Sequence, residues 1–232
     1  MKKTLFGALL CFSQVSVAEL TNSFQSVAKK EGQVVYLENH KSEYGPNGQI
    51  LRARTEYTRG SGEVIAVIDS EFKDSLSAPA HFFEDKRTGH RHGIKYENGQ
   101  LVLFSQDKGK SEETKSLKIE KDSPALTVGC QGLFYYLQQN YAELVKRKKI
   151  PLKFMIPGKL ESYDFEMELV REAEGIAYIE VHIKNWFLRL FAPKLDVRYD
   201  INKKRMVYYK GLSNIQTDKG ETQAVEIEYS YN

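Results

Sequence analysis

The sequence predicts a mainly β chain: a strongly curved antiparallel sheet, or an incomplete β-barrel, packed around one helix. Three observations lead there. Residues 123–149 carry Leu126, Cys130, Leu133, Phe134, Leu137, Tyr141, Leu144 and Val145 at spacings of three and four, the period of a helix with one apolar face. Almost everything after residue 32 outside that stretch alternates in short runs separated by Gly, Pro and Asn, as adjacent antiparallel strands do. So many strands must curl, because sheets twist and open edges are hazardous, and one helix cannot cover a flat sheet of that width. Bending the sheet around the helix answers both constraints.

In chain order, residues 1–18 read as a cleaved secretory signal. Lys2 and Lys3 start it, an apolar run from Leu5 to Phe12 follows, and Ser16-Val17-Ala18 is a small-x-small cleavage site. The run is too short to span a bilayer. Cys11 is preceded by Leu10 where a lipidation site needs a small residue, so lipidation is rejected. The expected location is the periplasm of a Gram-negative-type bacterium. Residues 19–32 are polar and read as a loose lead-in or short helical turn, and residues 33–232 as a single β-rich domain.

Strands are expected from Gln33. Val34 and Tyr36 alternate with Val35 and Leu37, and the cluster 44–48 turns the chain through Pro46 and Asn47-Gly48. Over residues 49–59, Leu51, Ala53, Thr55 and Tyr57 share one face while Arg52, Arg54 and Glu56 share the other, so one face is wet. Residues 63–72 complete an antiparallel meander. Shorter strands are expected at 81–85, 91–97, 100–106 and 115–121, with Asn98-Gly99 the strongest hairpin signal in the chain. After the helix come 152–156, the turn Pro157-Gly158, two long strands joined at Glu174-Gly175, a hairpin across 202–204, a polar loop at 211–220, and a last strand carrying Val225, Ile227, Tyr229 and Tyr231.

The helix is expected over residues 124–148. Ser123 and Pro124 suit its start, Lys146 to Lys149 suit its C-terminal dipole, and Pro151 prevents continuation. Gly129 and Gly132 each cost about 1 kcal/mol in a helix interior. They therefore imply an irregular first turn with the firm helix near Gln131, or a close approach of another backbone.

Composition narrows the partners. The formal charge is +3 and falls to near balance once Lys2 and Lys3 are removed, so nucleic acid is not expected. Cys130 would be the lone cysteine of the mature chain. It allows no intrachain disulfide and reads as a small buried hydrophobe.

The order of parts resembles an uncharacterised family of bacterial exported β-rich proteins, a domain of unknown function. The matching parts are the tyrosine-rich meander from Tyr36 to Phe72, the helix core Leu133-Phe134-Tyr135-Tyr136-Leu137, the turn Pro157-Gly158, and the closing segments Tyr199-Asp200 and Tyr208 to Asn214. The resemblance implies no catalytic residues. By architecture alone, a curved sheet holding a helix is also similar to periplasmic lipoprotein carriers and lipid-binding half-barrels.

Candidate chemistry is sparse. His81, His90 and His92 lie close in sequence, and His90 and His92 share a strand face as metal ligands must. Lys86, Arg87 and Arg91 between them repel a cation, and an exposed polar hairpin is the better reading. His182 beside Glu180 suggests a general base or simply a wet strand face. No nucleophile elbow and no phosphate-binding glycine loop are present. Trp186, Phe187, Leu188, Leu190 and Phe191 are too dense for one strand face, so they are either buried on both faces or line a ligand mouth or membrane contact. The expected function is therefore a non-enzymatic exported protein without cofactor. It would bind a lipid, another hydrophobic small molecule or an envelope partner through Phe134, Leu137, Tyr141, Trp186, Phe187 and Phe191. The alternatives are a metal-dependent envelope enzyme using residues 81–92, and an outer-membrane barrel.

Overall fold

The computed structural model describes residues 20–118, 123–185 and 194–231. The expected signal, residues 1–18, and the aromatic run containing Trp186, Phe187 and Phe191 lie outside the described residues.

Among the described residues, fifteen strands and one α-helix follow in order: β1 (Leu20–Lys30), β2 (Gln33–Tyr44), β3 (Ile50–Thr58), β4 (Val64–Glu71), β5 (Ala80–Asp85), β6 (His90–Glu97), β7 (Gln100–Gln106), β8 (Glu113–Leu117), β9 (Leu126–Val128), α1 (Gly132–Arg147), β10 (Lys149–Ile156), β11 (Glu161–Ala173), β12 (Ile176–Ile183), β13 (Leu195–Asp200), β14 (Arg205–Leu212) and β15 (Ala224–Tyr231). All fifteen join one sheet, ordered β8-β7-β6-β5-β4-β3-β2-β1-β15-β14-β13-β12-β11-β10-β9. The first and last strands meet at its centre, Ala28 opposite Ile227, and each half runs outward as a meander. The edges, β8 and β9, do not pair, so the sheet is curved around α1 but not closed.

From Leu20 on, the expected lead-in is instead a strand. β1 is a central strand, antiparallel to both β2 and β15, with Phe24, Ser26 and Ala28 buried on its inner face. Its tight return to β2 uses Glu31 and Gly32, both at positive φ, the same device as Asn98-Gly99 and Glu174-Gly175. The alternation in β1 is carried by Phe, Ser and Ala rather than by β-branched residues, which hid it.

The helix is shorter than expected. Residues 126–128 form β9, parallel to β10, and α1 begins at Gly132. A Cβ on Gly132 would lie 1.8 Å from the Ser77 carbonyl oxygen, so the chain enters the helix pressed against the loop between β4 and β5. Gly129 donates its amide to that same carbonyl at 2.8 Å. Ser123 caps nothing helical; its hydroxyl accepts from the Ala125 amide at 3.2 Å. At the far end Lys148, at φ 62°, donates back to the Leu144 carbonyl, and β10 starts at Lys149.

Register and burial define two faces. On the inner face, toward α1, one row crosses the sheet through Ser105, His92, Phe83, Ile68, Thr55, His40, Phe24 and Tyr231. Leu133, Leu137 and Leu144 of α1 pack on Ile150, Leu152, Met167, Ile179, Val181 and Val197. Tyr135 packs the other way, on Phe72 and beside Tyr44, Ile50 and Ala53, with its hydroxyl 2.5 Å from Ser42 Oγ. The helix therefore joins both halves. On the outer face Lys149, Glu168, Glu180, Asp196, Lys210, Glu226 and Lys29 form a charged cross-strand row. Lys194 bridges Glu180 and Asp196 at 2.6 and 3.3 Å. The later half thus sets an apolar inner face against a charged outer one.

Candidate functional site

The inner face under α1 divides into an aromatic seam and a polar track. The seam lies where β1, β2 and β15 meet the helix. Phe24 stacks on His40 with ring centroids 4.3 Å apart, on Tyr231 at 4.7 Å and on Phe134 at 5.7 Å, and Tyr229 lies 6.0 Å from Phe134. Phe24 is buried; Phe134, Tyr229 and Tyr231 are half-buried. Edge and offset-stacked rings of this kind add to their area burial and present an apolar, adaptable surface.

Of the residues expected to bind a ligand, the structure places Phe134 in this seam. Leu137 is fully buried in the aliphatic core. Tyr141 sits at the periphery, stacked on Tyr199 at 5.0 Å and donating to Glu172 at 2.5 Å. Burial and the Glu172 carboxylate push its hydroxyl well above the usual phenol range.

The polar track adjoins the seam and was not singled out by sequence. Glu38, on β2, is almost fully buried; Ser26 Oγ donates to its Oε2 at 2.5 Å, and His40 Nε2 lies 3.1 Å from the same oxygen. His40 Nδ1 is 2.9 Å from Thr55 Oγ1, and Gln131 Nε2 donates to Thr55 Oγ1 at 2.8 Å. With a neutral imidazole this chain has one consistent direction. Nε2–H donates to Glu38, Thr55 donates to Nδ1, and Gln131 donates to Thr55. Ser26 Oγ also lies 3.2 Å from His40 Nε2, so hydroxyl, imidazole and carboxylate meet at one point. Burial first, and the Glu38 carboxylate second, hold the hydroxyls of Tyr36, Tyr57 and Tyr229 well above their ordinary range. The sequence signal was the string Tyr36, Glu38, His40, Ser42, Tyr44 on one face of a strand, polar residues framed by tyrosines.

The loop from Ser213 to Gln223 covers one end of this region. Tyr36 Oη is 2.7 Å from Ser213 Oγ, Ile215 is buried among Tyr36 and Tyr57, and Asn214 Nδ2 lies 2.9 Å from Cys130 Sγ. Asp218 holds the loop outside through Arg59 and Arg87, both at 2.9 Å. Burial pushes the Cys130 thiol to about 11, the setting of an inert packing residue.

His81, His90 and His92 do not form the exposed polar hairpin or a ligand set. His81 is buried, its Nδ1 3.4 Å from the Pro79 carbonyl. His92 stacks on Phe83 at 4.6 Å, and His90 Nδ1 lies 3.0 Å from Asp107. Their register explains the separation: His81 faces Ile94, two residues beyond His92 and four beyond His90. Among the described residues the group of metal-ligand type that converges is Glu166, Glu168 and His182, on the outer face. There Lys149 Nζ already lies 3.3 Å from Glu166 and 3.0 Å from Glu168, while His182 Nε2 is 3.5 Å from Glu166. The partner of His182 is thus Glu166 across the strand, not Glu180 two residues before it.

No family model and no curated protein matches the chain. Among solved structures, a porin-like protein from Bacteroides uniformis aligns with 91% of this chain and 97% of its own length, at 8% identity and a TM-score of 0.28. That degree of overlap is too low to carry a shared fold or function.

Proposed function

We propose that the protein is an exported, non-enzymatic protein of the bacterial cell envelope that holds a lipid or other hydrophobic small molecule between α1 and the curved sheet. The observation that carries this reading is the seam of Phe24, Phe134, Tyr229 and Tyr231: four rings gathered where helix, first strand and last strand meet, three of them not fully buried. Apolar rings with a few fixed polar groups beside them are what small-molecule sites are made of. The signal expected at residues 1–18 supplies the envelope location, and the charged outer face suits a protein surrounded by water.

Native mass spectrometry of the protein purified from an envelope fraction, with organic extraction of the same sample, tests the proposal. A co-purifying hydrophobic species, lost in Phe134→Ala, is expected. A protein that carries nothing and takes up no added lipid overturns it.

A further inference from the structure

Six buried side-chain polar atoms among the described residues lack a protein hydrogen-bond partner, and four of them lie on the adjacent strands β4, β5 and β6 and the segment entering α1: Ser70 Oγ, His81 Nε2, His92 Nδ1 and Gln131 Oε1. Ser70 lies directly opposite His81 across β4 and β5, and His92 follows diagonally on β6. The segment leading into α1 lies over them. A Cβ on Gly129 would be 3.9 Å from His81 Cε1, and Gln131 follows two residues later, tied to Thr55 in the row next to Ser70. Native interiors rarely leave such atoms unpaired, and a cluster of them marks a place built to receive hydrogen bonds from something else.

Two of the four atoms, on Gln131 and His81, can only accept. The network from Glu38 through His40 and Thr55 commits the Gln131 amide nitrogen, which leaves its oxygen as a free acceptor. His81 donates Nδ1–H to Pro79, which leaves Nε2 as a bare lone pair. Ser70 can donate or accept. Ser70 and His81 are only 3% and 4% exposed. Bare acceptors at Gln131 and His81 favour a donor and oppose an anionic acceptor.

We propose that this cluster is the head-group subsite of the ligand site, and that its ligand is an amphipathic molecule with an uncharged, hydroxyl-bearing head. The proposal rests on the hydrophobic-ligand reading above. The head donates hydrogen bonds to Gln131 Oε1 and His81 Nε2 and exchanges one with Ser70. The chain lies along Phe24 and Phe134. A fatty acid or a phosphorylated lipid would bring an anionic acceptor against acceptors.

The test compares three probes of one chain length in titration calorimetry with the full mature protein: a 1-monoacylglycerol, the fatty-acid methyl ester and the free fatty acid. The monoacylglycerol should bind at least about tenfold more tightly than either of the others, the ratio that roughly one well-made hydrogen bond supplies. Gln131→Leu and, independently, Ser70→Ala should erase that preference while leaving methyl-ester binding unchanged. If all three probes bind alike, or the variants keep the preference, the head-group subsite is wrong and the apolar site stands. If none binds, both readings fall.

Discussion

The two halves of the inner face are built on different principles. From β9 to β14 the buried side chains are aliphatic and aromatic throughout: Val128, Leu137, Leu144, Ile150, Met167, Ile179, Val181. From β1 to β5 the same face buries Ser26, Glu38, Ser42, Thr55, Ser70, His81 and Asp85. A protein needing only a core has no reason to place a carboxylate and an imidazole under a helix, since each must be compensated by partners that then cannot move. The helix serves both halves. Its leucines fill one, and Tyr135 and Gln131 hydrogen-bond into the other. The later half is buried without polar side chains, and the earlier half mixes its apolar core with buried polar groups.

Acid should separate the halves most strongly. Burial lowers His81 to about 4; burial, then His81 and His90, lower His92 to about 3. Both folded values lie below the ordinary 6.5, so the unfolded chain takes up protons first and folding is penalised as pH falls. Stability should be level between about pH 6.5 and pH 8 and lost progressively below that window, by roughly 6 kcal/mol at pH 4 if both rings stay buried. Denaturation curves across this range check it, and His81→Phe should flatten the slope. An unchanged slope would mean that the acid-sensitive groups lie elsewhere.

The next effect belongs to the aliphatic half. Leu144 is fully buried at the contact of α1 with β10 and β11, and Leu144→Ala should cost about 3 kcal/mol as lost burial plus a cavity. A chemical denaturation midpoint reads it. A loss below about 1 kcal/mol would show that this half relaxes around a deletion and is not the rigid partner. Gly132→Ala should follow at about 2 kcal/mol, because the new methyl must displace the Ser77 backbone rather than a flexible side chain. Its thermal midpoint should fall even though alanine is the better helix former.

The contrast between the halves also separates what was legible in the sequence from what was not. Periodicity exposed the aliphatic half, since Leu133, Leu137 and Leu144 must face something apolar at helical spacing. Asn98-Gly99 and Glu174-Gly175 placed their hairpins because few residues tolerate the backbone angles required. The helix end was legible through Lys146, Arg147 and Pro151; its beginning was misplaced, because the spacing of Leu126 and Cys130 fits a helix while β9 takes Leu126–Val128 into the sheet edge. The polar half was hidden. In β1 Phe24, Ser26 and Ala28 alternate inward, but with too little apolar weight to read as strand beside Lys29 and Lys30. The partnership of Glu38, Ser26 and Thr55 depends on register between three strands, which no single segment encodes. His81 and His92 were noticed for metal chemistry because they share a sequence neighbourhood; only the register reveals that His81 looks toward Ser70 instead.

The smallest effects belong outside, where the halves should not differ. Arg54 Nη1 and Nη2 reach Asp69 and Glu56 at 2.6 and 3.0 Å in the earlier half, and Lys194 reaches Glu180 and Asp196 in the later one. These side chains are about as exposed as buried, so solvent screens them and each truncation to alanine should cost less than about 1 kcal/mol, shrinking as salt is added. Salt-dependent melting of Arg54→Ala and Lys194→Ala checks this. A larger, salt-insensitive loss at Arg54 alone would mean that something shields the outer face of the earlier half from water. The difference between the halves would then run through the whole sheet rather than belong to its inner surface.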